Sequence, residues 1–184
     1  MRKYDLTTKS IVVNNKKLFR IKALIDFSNV KAGDLGGYIE KEENLGHDGN
    51  AWVYDDSKVY GGAKVCGNAK VSGGARVCGN AWVSGGSRVC GHVEVSDDAY
   101  ICGNARVCSD SDYTVINRFS TEFKTITFFR CSDGFVRMRC GCFYGTIDEF
   151  RALVKDTRTG KIAEEYLMMT DLMELHFKDE QGDI

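Results

Sequence analysis

From Gly49 to Thr114 the polar and apolar positions recur with a period of six. The hexads read GNAWVY, DDSKVY, GGAKVC, GNAKVS, GGARVC, GNAWVS, GGSRVC, GHVEVS, DDAYIC, GNARVC and SDSDYT, eleven units without an insertion. The fifth position is Val or Ile in ten of them (Val53, Val59, Val65, Val71, Val77, Val83, Val89, Val95, Ile101 and Val107), and Tyr113 breaks the run. The third is Ala or Ser in ten, with Val93 the exception. Within Ala-Lys-Val-Cys, alternation sends Ala and Val to one face and Lys and Cys to the other. The Gly-Asn, Gly-Gly and Asp-Asp pairs supply turn chemistry and tolerate positive φ. The pattern therefore predicts a short strand and a corner, repeated. Three such sides make a coil of 18 residues, three times six, so residues 18 apart stack in neighbouring coils.

This arrangement resembles the hexapeptide-repeat family, whose fold is the left-handed parallel β-helix. The expected fold class is mainly β, with that solenoid flanked by an N-terminal β cap and a C-terminal α+β unit. The expected boundaries are 1–36 for the cap, 37–116 for the solenoid and 117–184 for the C-terminal unit. Residues 16–27 alternate apolar and polar through Phe19, Ile21 and Ala23 and read as a strand of the cap. Gly33-Asp34-Leu35-Gly36-Gly37-Tyr38 reads as a turn into the first coil, since no Lys-Ser/Thr follows to complete a phosphate loop. After the repeats, 123–131 and 135–143 are β-rich and joined through Ser132-Asp133-Gly134, a hairpin signal. Thr146-Ile147-Asp148-Glu149 is a capping box. It opens a helix with Ile147, Phe150, Leu153 and Val154 on its buried stripe. A second helix carries Ile162, Tyr166, Met169 and Met173, widened by Leu172 and Leu175.

The 18-residue period sorts the outward side chains by side. Side one carries Trp52, Lys70, Arg88 and Arg106, a basic ladder with an aromatic at one end and a candidate partner-binding face. Side two, with Lys58, Arg76, Glu94 and Asp112, runs from basic to acidic and compensates itself. Side three carries Lys64, Trp82 and Tyr100 beside Cys66, Ser84 and Cys102, and is a candidate partner or oligomer face. In the hairpin, a two-residue Asp133-Gly134 turn would set Arg130 opposite Arg137 and Phe128 opposite Arg139. That would form an aromatic and basic face suited to nucleic acid.

Composition narrows the chemistry. Proline is absent, against roughly nine expected at average usage, as parallel ladders that need every backbone donor require. A net charge of −1 argues against a tail-driven electrostatic binder. No apolar run approaches membrane-spanning length and no signal segment opens the chain, so a cytoplasmic setting with reduced thiols and no membrane partner is expected. Of the eight cysteines, Cys66, Cys78, Cys90 and Cys102 recur every 12 residues, so successive ones lie on different sides of the coil as small neutral fillers rather than metal ligands; only Cys90 and Cys108 stack, and Cys131, Cys140 and Cys142 lack the number and spacing for zinc. The three histidines, His47, His92 and His176, do not share a coil edge. Neither a general base nor a zinc triad is legible, and no metal or cofactor is expected.

Several segments are similar to small hexapeptide-repeat proteins of bacteriophages and prophages, loosely called polymer-forming. They are Gly33-Asp34-Leu35-Gly36-Gly37-Tyr38-Ile39-Glu40, Asn44-Leu45, Gly49-Asn50-Ala51-Trp52-Val53 and Phe143-Tyr144-Gly145-Thr146-Ile147-Asp148-Glu149-Phe150. That resemblance implies a non-enzymatic phage accessory protein in the host cytoplasm. It would bind a host protein or ribonucleoprotein and inhibit a defence complex, as an anti-CRISPR does. A self-assembling, homo-oligomeric structural protein is one alternative. A hexapeptide-repeat acyltransferase or carbonic-anhydrase-like enzyme is the other.

Overall fold

The computed structural model describes residues 2–178 and divides the chain into two compact units, Met1–Asp110 and Ser111–Ile184. In the first unit, strands β1 (Tyr4–Val13) and β2 (Lys16–Ala23) form an antiparallel hairpin. Asn14 and Asn15 turn it, both at positive φ, which asparagine tolerates in a two-residue turn. The pattern does not announce β1, because a register shift between Leu6 and Ser10 breaks its alternation. Strand β3 (Leu35–Ile39) corrects the reading of 33–38 as a turn: it pairs antiparallel with β2 on one edge.

The solenoid follows as ten two-residue strands. These are β4 (Trp52–Val53), β5 (Lys58–Val59), β6 (Lys64–Val65), β7 (Lys70–Val71), β8 (Arg76–Val77), β9 (Trp82–Val83), β10 (Arg88–Val89), β11 (Glu94–Val95), β12 (Tyr100–Ile101) and β13 (Arg106–Val107). They stack as three parallel ladders, β4-β7-β10-β13, β5-β8-β11 and β6-β9-β12. On its other edge β3 pairs parallel with β5, so the cap and the second ladder are one six-stranded sheet. Each pairing among β4–β13 joins residues 18 apart, as in Trp52↔Lys70 and Val89↔Val107. The eleventh hexad is not a further strand: residues Asp110–Asp112 form a 3-10 turn and Tyr113 begins the second unit's sheet. That is why the second unit starts ahead of residue 116.

The valines and Ile101 of the fifth positions are fully buried, and the third positions pack beside them. Burying each such aliphatic side chain is worth about 1.5–3 kcal/mol. The corner positions 49, 55, 61, 67, 73, 79, 85, 91, 97 and 103 all have positive φ; aspartate serves at 55 and 97 and glycine elsewhere.

The first coil lacks a preceding coil to donate to its carbonyls, and three devices replace it. The Lys3 ammonium donates to the Gly49 and Ala51 oxygens at 3.3 and 2.8 Å. The backbone of β3 and Glu40 donates to Ser57 O and Val59 O. The Asn44 amide donates to the Gly61 and Ala63 oxygens at 3.3 and 2.8 Å. Uncovered backbone at a solenoid end is costly, so these contacts define where stacking stops.

Cys90 and Cys108, stacked one coil apart with Cα atoms 4.5 Å apart, are paired as a disulfide, which the expectation of reduced, dispersed thiols did not include. Closing a loop of this size stabilises by about 3 kcal/mol. Under oxidising conditions, Cys90→Ser with Cys108→Ser is expected to lose an amount of that order in urea unfolding. With reductant present, the double variant and the wild type should unfold alike.

The second unit has a four-stranded antiparallel sheet, β14 (Tyr113–Phe119), β15 (Lys124–Arg130), β16 (Val136–Cys140) and β17 (Phe143–Thr146), followed by helices α1 (Ile147–Thr157) and α2 (Gly160–His176). The Thr146–Glu149 capping box is present, with Glu149 N–H donating to Thr146 Oγ1 and Thr146 N–H to Glu149 Oε2. Ile126, Phe128, Met138, Phe150, Tyr166 and Met173 lie in one core with other residues of both helices. Leu153 is not on the buried stripe, being 40% exposed.

Candidate functional site

Side one of the solenoid holds Lys70, Arg88 and Arg106 in one ladder, residue above residue. Trp52 is in register with them but does not share their surface; it is 1% exposed. Phe27 and Tyr4 meet its ring edge-on at 5.4 and 6.2 Å, and the Lys3 ammonium lies over Phe27. The cap thus covers the aromatic end of the ladder and leaves the cations. Burial pushes the Lys3 ammonium down to about 8, with Asp48 opposing.

The loop between β2 and β3 brings Asn29 beside this ladder. Asp26 ties the loop down, accepting from Ala32 N at 2.9 Å and from Lys31 Nζ at 3.0 Å. The Tyr54 hydroxyl and the Lys70 ammonium both donate to Asn29 Oδ1, at 2.8 and 3.2 Å. Asn29, Tyr54, Lys70, Ser72, Arg88, Cys90 and Arg106 line an open groove of about 300 Å³. Lys70, Arg88 and Arg106 have no carboxylate within ion-pair distance among the described residues. Burial raises the Tyr54 hydroxyl above its ordinary range, while its bond to Asn29 and the charge of Arg88 pull it back. The groove is therefore a set of donors and unneutralised cations suited to an anion such as a phosphate. The 18-residue period sets Tyr54, Ser72 and Cys90 beside the cations on side one, but nothing in the repeat places Asn29.

Side three also stacks as expected, with Lys64, Trp82 and Tyr100 in register. Trp82 and Tyr100 have centroids 5.4 Å apart, the Lys64 ammonium lies 5.6 Å from the Trp82 ring, and Trp82 Nε1–H donates to Cys66 Sγ at 3.0 Å. On side two, Arg76 and Glu94 form an ion pair at 3.5 Å.

The hairpin quartet does not come together. Cys131 pairs with Phe135 across a three-residue loop, Ser132-Asp133-Gly134, with Gly134 at φ 85°. The register is therefore one residue off the expected one, and a slip of one exchanges the faces. Phe128 pairs with Met138 and is fully buried; Arg130 pairs with Val136, Arg137 with Phe129 and Arg139 with Thr127. Arg137 is bound to Asp133 at 2.7 Å, and Arg130 to Asp112 and the Phe177 carbonyl. The larger cleft of the second unit, about 590 Å³ between Phe135, Ile147, Leu175 and Phe177, has the cations Arg151 and Lys178 in its lining beside the acids Asp148, Asp171 and Glu174. Its Arg151 is held by Asp148, Asp171 and Glu174.

The histidines lie apart. The ring of His47 stacks on Tyr4 at 4.5 Å and its Nδ1 accepts from Lys3 N. His92 is exposed at a corner, and His176 Nε2 is 3.4 Å from Thr114 Oγ1. Burial pushes the Cys78, Cys131 and Cys140 thiols upward, in keeping with neutral fillers. Among the described residues no three His, Cys, Asp or Glu side chains are grouped as a metal site.

A parallel solenoid of hexapeptide repeats with a cationic side groove is thus the class that fold and site define. The family model described as the YdcK beta solenoid repeat matches residues 75–91. The chain is similar to an Escherichia coli K12 protein named an uncharacterized acetyltransferase, YdcK. It is 37% identical to it over 76 residues, which are 36% of this chain and 23% of that protein. The expectation of a non-enzymatic protein does not stand beside a relative so named. A phage origin is not shown by either match. The repeat carries architecture, so the absence of a histidine pair on one coil edge was too narrow a ground for rejecting enzymatic activity.

Proposed function

We propose that the protein takes part in acyl transfer and holds a phosphorylated acyl donor, such as an acyl-coenzyme A, in the groove of side one. The observation that carries this reading is the ladder Lys70–Arg88–Arg106, three stacked cations without carboxylate partners, facing the Asn29 and Tyr54 polar groups. Guanidinium groups suit phosphate because their donors engage two oxygens at once. The similarity to a protein named an acetyltransferase supports the same class.

Calorimetric titration with acetyl-coenzyme A tests it. Binding is expected in wild type, weakened at least about tenfold in Arg88→Glu with Arg106→Glu and falling with added salt, as two lost charge-assisted contacts require. Transfer of labelled acetyl groups to a panel of amines and alcohols should follow the same order. No binding of acetyl-coenzyme A by the folded protein overturns the reading. So does a salt-sensitive gel shift with oligonucleotides alone, which would make the groove a nucleic-acid site.

A further inference from the structure

Cys90 and Cys108 follow Tyr54 and Ser72 in one outward column of side one, each 18 residues after the last. Both are half-buried, and Cys90 borders the groove of about 300 Å³. Each comes two residues after an arginine on the same side of its strand, Arg88 and Arg106. Those guanidiniums and Lys70 have no carboxylate partner among the described residues, so the disulfide lies in a positive field. The solenoid's other thiols are placed differently. Cys78 and Cys102 are buried, and Cys66 accepts the Trp82 Nε1–H.

The disulfide is not what sets the register of the two coils. Arg88 pairs with Arg106 and Val89 with Val107, and the Cys90 N–H donates to the Val107 carbonyl at 2.9 Å. The ladder therefore keeps the two cysteines stacked when the bond between them opens. Cations beside a disulfide favour exchange with an anionic thiol in two ways. They concentrate the anion, and they stabilise the thiolate that leaves.

We propose that Cys90–Cys108 is a thiol–disulfide exchange site for a small anionic thiol, anchored through phosphate or carboxylate groups by Lys70, Arg88 and Arg106. The thiolate enters from the groove and attacks Cys90 Sγ. A bond forms between those sulfurs, the Cys90–Cys108 bond breaks, and Cys108 leaves with the electron pair as a thiolate. A second thiolate attacks the ligand sulfur of the mixed disulfide and releases Cys90 as a thiolate. Two thiols are thereby oxidised to one small disulfide, the protein pair is reduced, and the protons pass through water to the two cysteines. The site shares the groove of the acyl-donor reading but does not rest on it.

Reduction of the oxidised full chain by coenzyme A, glutathione and uncharged 2-mercaptoethanol tests the site. Alkylation and peptide mass spectrometry read Cys90 and Cys108. At equal thiolate concentration the two anionic thiols are expected to react at least about tenfold faster than 2-mercaptoethanol, an advantage that falls with added salt. Arg88→Gln with Arg106→Gln should abolish the advantage, and Arg88→Lys with Arg106→Lys should keep most of it. Both arginines are exposed, so these variants should retain the wild-type circular dichroism spectrum. The faster anionic thiol identifies phosphate or carboxylate as the anchor, and either supports the site. Acetyl-coenzyme A has no free thiol and acts only as a competitor. An anionic advantage that it does not suppress supports the exchange site and counts against the acyl-donor reading alone. Equal rates for charged and uncharged thiols overturn the proposal. So does an advantage that survives the glutamine variants, or oxidised protein in which Cys90 and Cys108 are not joined.

Discussion

Trp52→Ala is expected to destabilise the first unit by about 3–5 kcal/mol, the cost of emptying a large aromatic site in a close-packed interior. The sequence pattern alone gives the opposite expectation. By the coil period Trp52 belongs to the outward column of Lys70, Arg88 and Arg106, where a truncation costs little. The structure puts the cap over it: Tyr4 and Phe27 meet the indole edge-on, and the Lys3 ammonium, over the Phe27 ring, donates to the Ala51 carbonyl. Removing the ring therefore leaves a cavity against Tyr4 and Phe27 and loosens the packing of the cap that terminates the solenoid. Trp82→Ala is the internal control, being 40% exposed, with an expected loss below about 1 kcal/mol. Since the chain has two tryptophans, fluorescence separates them. Trp82→Phe should leave a blue-shifted emission from Trp52 that moves red only on unfolding. An emission already at the solvent wavelength, or equal losses for the two alanine variants, would return Trp52 to the surface.

The solenoid was legible because its information is periodic. A buried valine every six residues, with positive-φ corners between, leaves almost no freedom in strand length or stacking register. Every observed pairing is the one the 18-residue period demands. What surrounds the repeat has no period to read. The cap's cover over Trp52 depends on Tyr4 and Phe27, which are distant in sequence and carry no signal of their destination. Asn29 reaches the groove on a loop that Asp26 fixes by accepting from the Ala32 N–H and the Lys31 ammonium, a local solution that composition does not reveal. The hairpin failed for a smaller reason: Asp133-Gly134 suits a two-residue turn, but Cys131 pairs with Phe135, and one residue of register moved Phe128 from a nucleic-acid surface into the core. The candidate site is mostly legible for the same cause, its cations, Tyr54 and Ser72 lying in the repeat and Asn29 alone reaching it from outside.

The junction between cap and coil yields the second large effect, from the smallest side chain. Gly37→Ala is expected to cost about 3 kcal/mol or more, the upper range for overpacking where neither neighbour can move aside. A Cβ at this position would lie 2.5 Å from the Ser57 carbonyl oxygen and 2.7 Å from Val53 Cγ1. The oxygen cannot retreat, because it accepts the Tyr38 N–H at 2.9 Å and that bond holds β3 on β5. The valine cannot either, being a fully buried member of the interior stack. Relief would require lifting β3 from the coil. That exposes the carbonyls of the second ladder and strands the antiparallel cap. Gly33→Ala separates crowding from backbone strain: its φ is +97° but its Cβ would meet nothing within 4 Å. Strain alone costs roughly 1–2 kcal/mol there. In thermal unfolding the Gly37 variant should fall on the order of 10–20 °C, and the Gly33 variant by roughly a third to two thirds of that. Equal shifts would mean that β3 does not seat flush on the first coil, and the junction of cap and solenoid would have to be redrawn.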